Sequence, residues 1–480
     1  MANRRRKVAW IAGGVILAVI VLISLALLSG TKILRPRIEA TASRALGMEV
    51  RIRGGVSVSF IPVFGASLAD ITVKNGGADV ATVAKMKIGL ELLPLIRHRF
   101  AISRLDLVKP VISILRQKNG KLNIETKGSE PPGNPVTVKK LAISQGSFLY
   151  TDLISGERME LEGVDISAGN LSAGGTPGRG PLKTLSLSDD IRCRTIKAGN
   201  VTLTDLVMKV AGENGVYDVS HADVRVFGGA GNGTLHADFT GTEPHFKITC
   251  SLKRLEIVKL LQEPPKAMSI EGLADFSADL TARGKTAVEV ERSLAGQVSL
   301  DGENIALNTI DIDDMIPSLE RSQSFNLVDV GGFFLAGPLG SAIVRGYKFA
   351  DFYNESHGGK GIIAKLVSVW KVGNGVAEAV DVAMATKKYR IAMKGGLNFI
   401  SDRFEEVTVA VVDQRGCAVF SQKIHGPFSS PAIGKINVLG SLTGPMTSLF
   451  GEVKKLFVHP KCVLFYTGSV APPVTTDKRP

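Results

Sequence analysis

The spacing of apolar residues divides this chain into two regimes. Val8 to Leu28 is an uncharged apolar run of about 21 residues. At ~1.5 Å rise per residue it reaches ~31 Å, the thickness of one bilayer core. Thr31 to Leu46 predicts a short juxtamembrane helix, with Pro36 suited to its first turn and Gly47 to its end. Beyond it the period changes to two. Val50/Ile52, Val56/Val58/Phe60, Ile88/Leu90/Leu92, Val201/Leu203 and Phe246/Ile248/Cys250/Leu252 each place apolar side chains on alternate positions. These predict strands with one apolar and one polar face. Asn-Gly at 75–76, 119–120, 214–215, 232–233 and 374–375, with Asp301-Gly302, supplies hairpin chemistry, because a type I′ turn needs positive φ at both central residues. Lys127 to Pro135 and Gly169 to Pro181 read as loops. Short helices are expected at Leu255 to Gln262, Ala287 to Leu294, within Ile310 to Arg321, and at Pro445 to Leu456.

The flanks of the first run set its meaning. Arg4, Arg5, Arg6 and Lys7 precede it, which predicts a cytoplasmic N-terminus. The run is longer than a signal-peptide core, and Ala26 to Gly30 makes a poor cleavage site. An uncleaved signal anchor is therefore expected, with Val8, Trp10 and Leu28 in the membrane and the remaining chain in a bacterial periplasm. Four cysteines in 480 residues are no disulfide scaffold. Cys417 and Cys462 form the one candidate pair, since the helix expected between them folds Cys462 back in an oxidising compartment. Cys250 reads as a small hydrophobe on an apolar strand face. Cys193, beside a loop-like stretch, suggests no role.

A net charge of +13 raises the question of nucleic acid. No aromatic residues interleave with the basic ones and no nucleic-acid motif is present, so anionic lipid is the expected partner of the charge. The seven histidines are scattered, and only His236 and His245 approach a ligand spacing. Asp311-x-Asp313-Asp314 lacks the glycine and closing glutamate of a calcium loop and reads as a helix N-terminal cluster. The glycine-rich stretches 175–184 and 228–233 lack the Gly-Lys-Ser/Thr of a P-loop. No catalytic residue, metal site or cofactor is expected. What remains is the apolar strand faces. A sandwich or barrel covers such a face with protein; a long curled sheet leaves it lining a groove. Period alone leaves both open.

The segment Leu68 to Ile124 carries a resemblance. Ala69-Asp70-Ile71-Thr72-Val73-Lys74-Asn75 is followed by Leu90-Glu91-Leu92-Leu93-Pro94-Leu95-Ile96. Next come the run Ile102 to Arg116 and Gly120-Lys121-Leu122-Asn123. With Arg44 to Ile52 behind an apolar anchor, this resembles the N-terminal region of the AsmA family of bacterial envelope proteins. Ser293 to Leu300, Phe325 to Gly337 and Gly361 to Ala377 resemble its C-terminal half. The resemblance implies an inner-membrane anchor and a mainly β fold, an elongated, curled antiparallel β-sheet with a hydrophobic groove and a few short helices. It also implies phospholipid movement between inner and outer membrane and support of outer-membrane integrity, with acyl chains covering the apolar face.

The expected organisation is a basic tail and anchor over 1–30, a juxtamembrane helix over 31–47, the N-terminal part of the groove over 48–265, a second β region over 266–430, and a C-terminal segment over 431–480 with the disulfide. Phe246, Ile248 and Leu252 are the groove candidates. A periplasmic scaffold for outer-membrane protein assembly is the alternative function, and an enzyme without visible motif a third. Some 25–30 strands at ~4.8 Å each give a rod of ~120–145 Å at most. Envelope proteins or an oligomer are therefore expected to complete any bridge between two membranes.

Overall fold

The computed structural model of the chain describes residues 31–59, 65–91, 101–125, 136–173, 187–260, 270–308, 310–317, 327, 334, 359–438 and 462–473. The run containing Val8, Trp10 and Leu28, and the helix expected at Pro445 to Leu456, lie outside these residues. No helix among the described residues is long and apolar enough to cross a membrane. The chain forms two compact units. One comprises the chain up to Val226 with Asn232–Phe246; the other comprises Phe227–Gly231 and the chain from Lys247.

The first unit opens with helix α1 (Thr31–Leu46), followed by β1 (Glu49–Ile52), β2 (Val56–Ser59), β3 (Gly65–Asn75), β4 (Ala78–Leu90), β5 (Ala101–Arg116) and β6 (Val136–Asp152). It continues through β7 (Arg158–Ala173), β8 (Leu187–Ala198), β9 (Val201–Glu213), β10 (Val216–Val226) and most of β11 (Gly229–Asp238). β1 and β2 both pair with β3, and from β3 to β10 each strand pairs with the next. One pair corrects the expected all-antiparallel sheet: β5 and β6 are parallel, with Leu107 opposite Ile143. A tight hairpin cannot join parallel strands. Asn119-Gly120 accordingly makes a local turn, with the Gly120 amide on the Gln117 carbonyl, rather than a β5–β6 hairpin.

Helix α1 begins at Thr31, so Pro36 lies within it rather than in its first turn. Gly47 (φ 64) ends it, a conformation only glycine adopts freely. Ile38, Ala42 and Leu46, spaced four apart, pack on Val50, Ile52, Leu68, Ile71 and Val80. The helix also satisfies the free edge of β1. Glu39 accepts from the Ile52 amide (2.6 Å) and Ser43 from the Val50 amide (2.9 Å). An edge occupied in this way is closed to pairing with another strand.

Asn214 (φ 51) and Gly215 (φ 90), and Asn374 (φ 50) and Gly375 (φ 73), turn as hairpin chemistry requires. Asn232-Gly233 and Asp301-Gly302 do not; they lie inside strands. The turn before β11 is made by Phe227 (φ 49) and Gly228 (φ 79). Cys193 lies within β8 and is buried, not beside a loop. Gly169 to Ala173 belong to β7. Leu255 is the penultimate residue of β12 (His245–Glu256) rather than helical, and helix α2 (Ile257–Leu260) follows the strand; Leu261 and Gln262 lie outside the described residues.

A single irregularity recurs along the strands. Asp70, Lys109, Gln145 and Asp205 have φ of 49 to 54, and Gly163 has φ 65. At Gln145, Gly163 and Asp205 the register with a neighbouring strand slips by one position, a β-bulge, whereas Asp70 and Lys109 share the backbone angle without a slip against β4. The apolar positions on one face therefore skip from i to i+3 once per strand: Leu68 to Ile71, Ile143 to Gly146, Leu161 to Val164, Leu203 to Leu206. The registers place these skips next to one another, with Gly146 opposite Val164, Val164 opposite Cys193 and Cys193 opposite Leu206. Bulges bend a strand and increase its twist, so an aligned belt of them curls the sheet. The Asp165 carboxylate accepts from the Gln145 amide (2.8 Å), holding one bulge from the neighbouring strand.

The second unit contains most of β12, α2, β13 (Ile270–Arg283), α3 (Ala287–Ser293), β14 (Ala295–Leu307), α4 (Ile312–Met315), β15 (Gly361–Gly373), β16 (Val376–Ala385), β17 (Arg390–Asn398), β18 (Arg403–Val412) and β19 (Ala418–Pro427). Two-residue strands β20 (Ala432–Ile433) and β21 (Asn437–Val438) pair on β19. From β13 to β19 every pair is antiparallel. Asp311 caps α4, its side chain accepting from the Asp313 amide (2.9 Å).

Candidate functional site

The sheet face of the first unit is the candidate site. Two rows of register partners cross β5 to β10 on it. Leu107, Ile143, Ile166, Ile191, Met208 and Ala222 form one; Ile112, Phe148, Leu161, Ile196, Leu203 and Val226 form the other. All six residues of the first row are only half-buried, and in the second only Val226 is buried. Side chains of this kind belong in a core, where complete burial stabilises by ~1.5–3 kcal/mol each. Helix α1 packs over the β1–β4 end of the apolar face, through Leu68, Ile71, Val80 and Val83. The reverse face is polar. Asp165 faces Arg192, and Glu160 faces Lys197. At ~4.8 Å per strand the rows run ~24 Å, a large part of the ~30 Å bilayer core.

The second unit shows the same alternation with the face covered. Leu366, Met384, Ile391, Val411 and Phe420 form a register row, and each is 3 % exposed or less. On this side Ser368 donates to the Phe334 carbonyl (2.6 Å) and accepts from the Trp370 indole (2.7 Å). Thr386 donates to Asp313, whose burial holds its carboxyl above the usual range. Burial beside Asp313 and Asp314 pushes the Tyr389 phenol up to about 12. The opposite side, rich in alanine, packs on Tyr466 and Val470 of the segment 462–473.

That segment is tied down at three places. Cys417 and Cys462 are joined in a disulfide with Cα atoms 5.4 Å apart. Tyr466 donates to Asp381 (2.5 Å), which also accepts from the Ser469 amide (2.9 Å). Buried Arg390 donates to the carbonyls of Val470 (3.0 Å) and Asp413 (2.7 Å) and stacks on the Tyr466 ring. A recess of about 690 Å³ remains beside the segment, lined by Val380, Met393, Lys394, Glu405 and Phe465 among others. Its lining mixes charge and hydrocarbon.

The groove candidates read from the sequence sit on β12. Phe246 is half-buried; its ring meets Phe239 edge-on at 5.8 Å, and Phe239 meets Tyr217 at 5.9 Å. Gly212 makes room for this ladder, because a Cβ there would lie 2.1 Å from the Tyr217 ring. Ile248 is 39 % exposed and Leu252 half-buried. Of the rows of β5–β10 the sequence reading caught only the Val201/Leu203 alternation on β9. Their signal was present as i, i+3 apolar pairs around a polar or glycine bulge residue. His236 bonds Asp218 (2.6 Å) and not His245, and among the described residues no three acidic, histidine or cysteine side chains cluster as a metal site.

The AsmA family model matches this chain twice, over residues 1–174 and 162–327. The chain belongs to the AsmA family. Membership supports an envelope-related role. The two matched stretches meet in β7, so the half-buried rows run across both. No curated protein and no solved structure matches this AsmA-family chain.

Proposed function

We propose that this AsmA-family protein handles phospholipid between the inner and outer membranes of a bacterial envelope and so supports outer-membrane integrity. The observation that carries the reading is the pair of half-exposed apolar rows across β5–β10. Acyl chains complete the burial of these side chains, while the charged reverse face stays in water. On this reading Val8 to Leu28 anchors the protein in the inner membrane and the remaining chain is periplasmic. On β12, Phe246, Ile248 and Leu252 are further lipid-contacting side chains on this reading. The protein binds and conducts; it carries out no bond chemistry and needs no cofactor. Envelope proteins or further copies complete the path to the outer membrane.

Mass spectrometry of the full-length protein extracted in mild detergent tests this. Several phospholipid molecules per chain are expected. Bound polypeptide in place of lipid supports instead a scaffold for outer-membrane protein assembly. A preparation with neither contradicts the lipid reading.

A further inference from the structure

The turn joining β6 to β7 displays what turns avoid. Turns favour Gly, Asn, Asp, Ser and Pro. Here the chain reads Asp152-Leu153-Ile154-Ser155-Gly156, and Leu153 and Ile154 stand 46 % and 55 % exposed. The display is rigid. Buried Asp152 accepts from the amides of Ile154 (2.8 Å) and Ser155 (3.4 Å) and from Arg116 (2.9 Å). The Leu153 amide bonds the Arg116 carbonyl and the Gly156 amide bonds the Asp152 carbonyl, both at 2.9 Å. Two large aliphatic side chains are thus fixed outward at the cost of solvation.

The surroundings indicate what meets them. The neighbouring turn, joined through Arg116, carries Lys118 and Lys121, both exposed. Arg158 is exposed at the start of β7. Of the nearby carboxylates, Asp152 is buried on Arg116 and Glu160 faces Arg158 (3.8 Å) and Lys197 (3.9 Å). Glu157 is exposed. Cations around a projecting apolar pair match an anionic bilayer surface, where hydrocarbon enters and basic groups stay at the headgroups. The apolar face also runs out to this margin: Tyr150 pairs with Met159, and Met159 with Ala198.

We infer that the β6–β7 turn is a membrane-seating tip, with Leu153 and Ile154 inserting into an anionic bilayer surface and Lys118, Lys121 and Arg158 lying on its headgroups. The inference rests on the lipid reading of the adjoining face and specifies where that face meets a bilayer.

The test uses the full chain in nanodiscs, in a C193S/C250S background, with an environment-sensitive fluorophore on I154C. A second preparation carries it on E243C, in the turn at the opposite margin. Vesicles of phosphatidylethanolamine with one-third phosphatidylglycerol, carrying nitroxide lipid, are added. The label at 154 is expected to shift to the blue and be quenched, that at 243 to stay aqueous, and high salt or K118S/K121S to weaken the response. Replacing Leu153 by Asp in the labelled chain should abolish it with the melting temperature unchanged, since the position is exposed. An aqueous label at 154 in protein that still co-purifies with phospholipid overturns the tip and leaves the lipid reading intact. Equal quenching at 154 and 243, or with vesicles of phosphatidylcholine alone, also overturns it.

Discussion

Ile248 and Ile391 are the same residue in the same kind of element, yet they report different surroundings. Ile391 is fully buried in the second unit, whereas Ile248 on β12 is 39 % exposed. A buried, unpaired carboxylate costs several kcal/mol, while exposed substitutions fall within about ±0.5 kcal/mol. Ile391→Asp is therefore expected to unfold the second unit. Ile248→Asp should keep the melting temperature within a few degrees but lose bound phospholipid. Misfolding of the Ile248 variant in a thermal melt would make that residue ordinary core. Asp152 offers a pH test of the rigid turn. The Ile154 amide first, then Arg116, hold its carboxyl below the usual range. A carboxyl with a depressed folded pKa stabilises above its unfolded value, and that contribution is lost as pH falls through the folded pKa. Asp152→Asn should thus melt lower than the wild type at pH 7. The gap should close progressively as pH is lowered below ~3.9, the ordinary aspartate value, in a series of thermal melts.

At the scale of elements, the bulge belt is the feature that most shapes the site. Gln145 adopts φ 54, which a β-branched residue tolerates poorly and glycine freely. Gln145→Val should cost ~1–3 kcal/mol in chemical denaturation, while Gln145→Gly should be neutral or stabilising. Equal effects of the two would mean that the bulge is not held in place. The same belt explains what the sequence revealed. Helix α1, α3, the hairpins at Asn214-Gly215 and Asn374-Gly375, and the alternation of β12 were legible because local chemistry and period agree there. The rows of β5–β10 were not, apart from Val201/Leu203 on β9, because the alternation shifts phase midway along the strands. Asn232-Gly233 misled because strand pairing outweighs the turn preference of a dipeptide. The parallel pairing of β5 and β6 has no local signature. The segment 462–473 is an element of another kind, tied by its disulfide across 45 residues. Loop-closure entropy gives ~4 kcal/mol for such a link. Cys417→Ser should lower the stability of the second unit by up to that amount, and reduction of the wild type should match it. An unchanged unfolding midpoint would show that Arg390 and Asp381 hold the segment alone.

For the whole molecule, each unit of a mainly β chain has its own apolar face, covered in the second unit and left half-covered over part of the first. Helix α1 closes the β1–β4 end of the first unit, and in the second unit Phe334 and the residues around Asp313 lie over one side of its own sheet. Among the described residues, the face across β5–β10 of the first unit is left half-exposed and open to a ligand. Family membership supports an envelope role, and acyl chains fit the chemistry of a half-buried hydrocarbon surface backed by charge. We propose that phospholipid covers this face in the living envelope. Site-specific photocrosslinking tests it most directly, with a benzophenone amino acid replacing Ile112, Ile166 or Met208 on the face and Arg192 or Lys209 on the reverse. Phospholipid adducts, detected by mass spectrometry of the purified protein, are expected from the first three positions and none from the last two. Adducts to protein alone, or phospholipid recovered equally from both faces, would contradict it.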